Sequence, residues 1–138
     1  MRSKGAVEVG KARIVVVDDE QDNLDFLAEI IDDADCEAET HADGAGAVER
    51  MKQDPPALVF LDVQMPGMNG FEVLKAMRST KSLASVPVVL LSAIGAVTGE
   101  DFDPDLVEKK YGVRPDAFVA KPIEHVKVTE QITAFVKA

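Results

Sequence analysis

"ARIVVVDDEQDN", residues 12–23, is the stretch on which the reading of the fold turns. Ile14, Val15, Val16 and Val17 form an unbroken β-branched run, the pattern of a strand covered on both faces. The run stops at Asp18 and Asp19, and Glu20 follows. Two carboxylates about 4 Å apart repel by roughly 4 kcal/mol at an effective dielectric near 20. Either water screens that charge, or a positive group belongs beside it.

The chain has 138 residues, enough for one domain with one core. Its 46% hydrophobic and 29% charged residues give a globular rather than a disordered balance. A formal net charge of -10 supplies no basic surplus to neutralise phosphates, so direct nucleic-acid binding is not expected. The same charge disfavours anionic membrane surfaces. Cys36 is the only cysteine, which excludes an intramolecular disulfide and a cysteine-based zinc cluster. His41 and His125 lie far apart in sequence. No stretch approaches the apolar length of a membrane span, and the first residues lack a secretory apolar segment. The expectation is a reduced, cytoplasmic protein whose residues 1–11 form a flexible tail.

Further along, strand and helix signatures alternate. Leu24, Leu27, Ile31 and Ala34 recur at helical spacing over about 21–34. Residues 37–42 make a weak edge strand, and Ala45, Val48 and Met51 mark a short helix ending before Pro55-Pro56. "ALVFLD" (57–62) and "VPVVLLSA" (86–93) are buried strands, separated by a helix carrying Phe71, Leu74 and Met77. Residues 104–111 can form a helix with Pro104 in its first turn. "AFVAKP" (117–122) is the last strand, and Val128, Ile132 and Phe135 mark the last helix. Five such alternations predict an α/β fold: a single five-stranded parallel sheet in the flavodoxin-like order 2-1-3-4-5, with helices on both faces. Ligands of such sheets bind beyond the carboxyl ends of the strands, where the order reverses between the first and third strands.

The residues at those ends are Asp18 and Asp19, Asp62, Ser92 and Lys121. Each alone has an ordinary reading. Asp19 or Asp22 can cap the following helix. Asp62 can be a turn residue, Ser92 a cap and Lys121 a solvated lysine. Together at one sheet edge they make a site. Three carboxylates and one lysine leave two negative charges, which one divalent cation cancels, and hard oxygen ligands suit Mg²⁺. An aspartate beside that ion can attack phosphorus, with Lys121 and Ser92 contacting the phosphoryl oxygens.

In this order, "IVVVDDE", "LVFLDVQMPGMNGFEVLK", "VPVVLLSA" and "FVAKPI" resemble the receiver domain of bacterial two-component response regulators, over residues 12–138. The resemblance implies that Asp62 is the phosphoacceptor for a histidine kinase or phosphotransfer protein. It implies that Asp18, Asp19, Asp62 and the backbone carbonyl of Gln64 hold Mg²⁺. Ser92 then takes the switch hydroxyl position, Phe118 the switch aromatic position and Lys121 the phosphoryl contact, with a cis Lys121–Pro122 bond. Phosphorylation would draw Ser92 inward and let Phe118 rotate, changing the face of the fourth helix, fifth strand and fifth helix for a downstream protein target. A homodimer on activation is one option.

Three departures stand out. The segment 94–116 is longer than is typical of the family. Gln64 and Ile94 occupy the positions that tune autodephosphorylation, and Ile94 cannot align a water, so fast self-hydrolysis is not expected. The chain ends soon after the last helix, as a stand-alone receiver or a receiver cut from a longer protein. Two other readings remain. A pseudo-receiver would bind partners without phosphorylation. A haloacid-dehalogenase-like phosphohydrolase would need an acidic residue where Gln64 stands.

Overall fold

The computed structural model describes residues 11–92 and 104–137. Its elements are β1 (Arg13–Val17), α1 (Gln21–Asp33), β2 (Glu37–His41), α2 (Gly44–Gln53), β3 (Leu58–Asp62), α3 (Gly70–Arg78), β4 (Val88–Ser92), α4 (Pro104–Tyr111), β5 (Ala117–Ala120) and α5 (His125–Ile132). A five-residue π-helical turn, Thr133–Lys137, extends α5. The strands pair in parallel in the order β2-β1-β3-β4-β5, as the alternation predicts.

Strand alternation divides the apolar residues between two faces. Val15, Val17, Val59, Leu61, Val88 and Leu90 point to one side, where Ala47, Val48 and Met51 of α2 and Val73, Leu74 and Met77 of α3 cover them. Ile14, Val16, Leu58, Phe60, Val89 and Leu91 point to the other, covered by Leu24, Leu27, Ile30 and Ile31 of α1 and by Val128 and Ile132 of α5. The central strands β3 and β4 are buried at every position, which explains their uninterrupted apolar runs.

β2 is the weak strand because it lies at an edge and pairs only with β1. Its outer positions are polar, which discourages edge-to-edge pairing. Glu39 receives Arg13 Nε at 3.0 Å, Arg50 at 3.3 Å and His41 Nε2 at 2.7 Å. Desolvation opposes its charge, but His41 and the two arginines prevail and hold its carboxyl below the ordinary value.

Several boundaries are shorter than the sequence pattern suggests. β4 starts at Val88, where the Asp116 carboxylate accepts the Val88 N–H at 2.8 Å and Arg78 at 2.8 Å. That clasp ties the end of α3 to the starts of β4 and β5. β5 stops at Ala120, before the cis Lys121–Pro122 bond. The predicted helix at 104–111 is present, and Tyr111 at its end stacks on Phe71 of α3, with ring centroids 4.4 Å apart. Residues 1–10 of the expected tail, residue 93, and 94–103 of the long segment, Ile94 among them, lie outside the described residues.

Candidate functional site

β1 and β3 are neighbours and end at the same edge, since Val17 is in register with Leu61. The chain leaves β1 through Asp18, whose N–H is held by the His41 carbonyl at 3.1 Å. α1 then begins after Glu20, which occupies its N-cap with no side-chain cap bond. The capping role considered for Asp19 or Asp22 is therefore not what the structure shows. Instead Asp18 Oδ1 accepts the Glu20 N–H at 2.9 Å, so the buried carboxylate steadies the entry to the helix from inside the site.

Asp62 ends β3, and Val63 continues the ladder through its N–H to Leu91 O at 3.0 Å. The Gln64 N–H donates to the Asp62 carboxylate. The loop closes where the Gly70 N–H reaches the Val63 carbonyl at 2.9 Å. Asn69 caps α3 in a reciprocal box with Glu72. Gly67, at φ 75°, takes the left-handed turn conformation that favours glycine. Gly70 is required for a different reason: a Cβ there would fall 2.3 Å from the Asp62 carbonyl oxygen.

On the other flank, the Lys121 N–H donates to the Ser92 carbonyl at 2.8 Å, bringing the end of β4 beside the start of the β5–α5 loop. Lys121 Nζ lies 3.0 Å from Asp62 Oδ1, 3.3 Å from Asp18 Oδ2 and 3.8 Å from Glu20 Oε1. Burial works against the lysine's charge, but its bonds to Asp62 and the charges of Asp62 and Asp18 raise its pKa above the ordinary value. Asp18, Asp62 and Ser92 are buried, whereas Asp19 and Gln64 are exposed. Phe118 is in register with Leu90, two positions before Ser92 and its partner Ala120, and packs half-buried against the α2–α3 side of the core.

Asp18, Asp19 and Asp62 each offer a carboxylate oxygen, all within 4.8 Å of one another. One lysine does not balance them. Burial, reinforced by the neighbouring Asp18 charge, pushes the Asp62 carboxyl up to about 6 even though Lys121 pulls the other way. Three carboxylates converging beside one lysine fit a divalent cation with oxygen ligands. Two further residues stand in it. Glu20 adds a fourth carboxylate, and Asn23 donates to both Asp18 and Glu20. Nothing in residue type singled out Asn23, which reads as an ordinary first-turn helix residue.

Comparison with known proteins agrees with this geometry. The chain is 33% identical over 128 residues to hybrid signal transduction histidine kinase L of Dictyostelium discoideum, covering 91% of this chain and 7% of that protein. It is 31% identical over 126 residues to the response regulator PleD of Caulobacter vibrioides, covering 91% of this chain and 26% of that one. The chain thus spans about a quarter or less of these relatives. Among solved structures, chemotaxis protein CheY4 of Vibrio cholerae superposes with a TM-score of 0.77 at 24% identity, covering 92% of this chain and all of that one. The receiver domain of a Pseudomonas aeruginosa sensor histidine kinase, solved with magnesium in its active site cleft, superposes with a TM-score of 0.78 at 17% identity, covering 94% of this chain and all of that one. The model of the response regulator receiver domain matches residues 14–133. With strand order, strand-end acids and this match in agreement, the chain belongs to the receiver domain family of two-component signalling systems.

Proposed function

We propose that this receiver accepts a phosphoryl group on Asp62 from a histidine kinase or phosphotransfer protein, with Mg²⁺ held by Asp18, Asp19, Asp62 and the Gln64 carbonyl. The carrying observation is the buried Asp62 carboxylate, 3.0 Å from Lys121 Nζ and clustered with the oxygens of Asp18 and Asp19. An Asp62 oxygen forms the new bond to phosphorus as the bond to the donor's imidazole nitrogen breaks, and the imidazole leaves with the electron pair. When bound, Mg²⁺ supplies charge neutralisation for the phosphoryl oxygens. Lys121, already beside Asp62, turns its ammonium toward the same oxygens, and the Ser92 hydroxyl at the end of β4 donates to them. In this reading the chain is a phosphorylation switch, and its chemistry is limited to gaining and losing its own phosphoryl group.

The output is assigned to Phe118, on β5 three residues before Lys121 and half-buried against the α2–α3 side of the core. Movement of Ser92 toward a phosphoryl group makes room for Phe118 to turn inward, and a downstream protein reads the altered face. Residues 12–138 constitute the receiver in this reading, acting in the cytoplasm, with slow self-hydrolysis and with a homodimer as one active form. Among the described residues, no helix is long and apolar enough to cross a membrane.

Incubation with acetyl phosphate and Mg²⁺, followed by intact mass measurement, tests the assignment. The wild type should gain a phosphoryl increment that chelation of Mg²⁺ prevents, and Asp62→Asn should gain none. An unmodified wild type, or an equally modified variant, removes Asp62 as the acceptor.

A further inference from the structure

Asp18 is fully buried, and its carboxylate is held by three donors. The Glu20 N–H reaches Oδ1 at 2.9 Å, while Asn23 Nδ2 at 3.2 Å and Lys121 Nζ at 3.3 Å share Oδ2. Asn23 Nδ2 also reaches Glu20 Oε1 at 3.0 Å, and Lys121 lies 3.8 Å from that same oxygen. Asp18 and Glu20 are therefore bracketed by one charged donor and one neutral donor. The charged one is in demand elsewhere, because Lys121 also contacts Asp62 at 3.0 Å. A lysine that turns toward an incoming phosphoryl group loosens its hold on Asp18 and Glu20. The Asn23 amide still spans the two, one N–H for each carboxylate, beside the Glu20 N–H on Asp18.

A neutral donor suits this position. An arginine or lysine at residue 23 would hold Asp18 equally well, but its charge would cancel the negative field that draws a cation. An amide orients the carboxylate and leaves that field intact. Asn23 lies in the first turn of α1, and its short side chain bends back over the N-cap, so the helix itself sets where the amide points.

We propose that Asn23 is a positioning residue of the cation site, holding Asp18 and Glu20 in place so that their charge stays available to a divalent ion. This rests on the reading of Asp18 as a Mg²⁺ ligand. The test is a Mg²⁺ titration of the unphosphorylated chain followed by backbone amide NMR, on the wild type, Asn23→Ala and Asn23→Gln, with urea unfolding in EDTA as the measure of stability. Alanine favours the helix, so Asn23→Ala should fold normally. It should weaken Mg²⁺ binding threefold to tenfold while its unfolding midpoint in EDTA stays close to wild type. Asn23→Gln, which keeps the amide, should recover most of the loss. An Asn23→Ala variant that binds Mg²⁺ within twofold of wild type overturns the proposal, as does a glutamine variant no better than alanine. A wild type that fails to bind Mg²⁺ overturns the cation site and this role with it, whereas normal wild-type binding with an unaffected variant overturns the role of Asn23 alone.

Discussion

Asp62 sits where the fold works against its charge. Burial and the Asp18 carboxylate raise it from 3.8 to about 6, with Lys121 offsetting only part of that. For an acid whose folded pKa is raised, ionisation is easier in the unfolded chain. Below about 3.8 both states are protonated and the group contributes nothing. As pH rises from there to about 6 the unfolded chain ionises first, and above 6 the folded state carries the full penalty of up to about 3 kcal/mol. Asp62→Asn removes the charge and keeps the shape. In EDTA at pH 7.5 it should therefore unfold with about 1–3 kcal/mol more free energy than the wild type, and the gap should close toward pH 4. Urea denaturation across that range checks both the size and the sign. A variant less stable than wild type at pH 7.5 would mean that Lys121 compensates the charge fully.

Between elements, the tightest constraint is the approach of α3 to the end of β3. Gly70 opens α3, and a Cβ there would meet the Asp62 carbonyl oxygen at 2.3 Å and Val63 Cα at 2.8 Å. Both neighbours are backbone, so the helix must move away or the phosphoacceptor must. Gly70→Ala should cost about 1–3 kcal/mol by overpacking, and more if the Gly70–Val63 hydrogen bond breaks. It should also slow modification by acetyl phosphate beyond what the lost stability explains, read as the rate at a concentration of urea too low to unfold it. Normal stability would show that α3 can slide. The element order was legible because β1, β3 and β4 are apolar at nearly every position and their intervening helices keep an apolar stripe. The strand-end acids and Lys121 were legible because a parallel sheet brings those ends to one edge. Gly70 stood out only as part of the motif that carries the resemblance, since its constraint comes from a helix and a strand meeting in space. Asn23 and Glu20 escaped as site residues for the same reason: the reach of Asn23 back to Glu20 and Asp18, three and five residues earlier, leaves no periodic trace. β2 was faint because its edge position asks for charge rather than apolar residues, and Glu39 with its arginines answers that demand.

The two layers of helices bury both faces of one sheet, so the site edge is fastened to the whole core. Val17, Leu61 and Leu90 precede the site residues and are fully buried on the α2–α3 side, while Leu91, beside Ser92, is buried on the α1–α5 side. A ligand at the edge therefore stabilises the entire folded chain, because the unfolded chain has no cluster of acids to offer it. At ten times its dissociation constant, Mg²⁺ should raise the unfolding free energy by about 1.4 kcal/mol, which for a domain of this size lifts the midpoint temperature by roughly 3–5 °C. The proton on Asp62 competes for the same oxygens. At pH 5, below the value of about 6, the same Mg²⁺ concentration should give a smaller gain, and the gain should recover by pH 7.5. Asp62→Asn should keep less of the gain at pH 7.5 and lose the pH dependence, since Asp18 and Asp19 remain but the competing proton is gone. Thermal unfolding of both chains at the two pH values, with Mg²⁺ and with EDTA, measures all of this. A Mg²⁺ gain equal at pH 5 and 7.5 in the wild type would separate the cation from Asp62 and leave the ion bound by the acids after β1 alone.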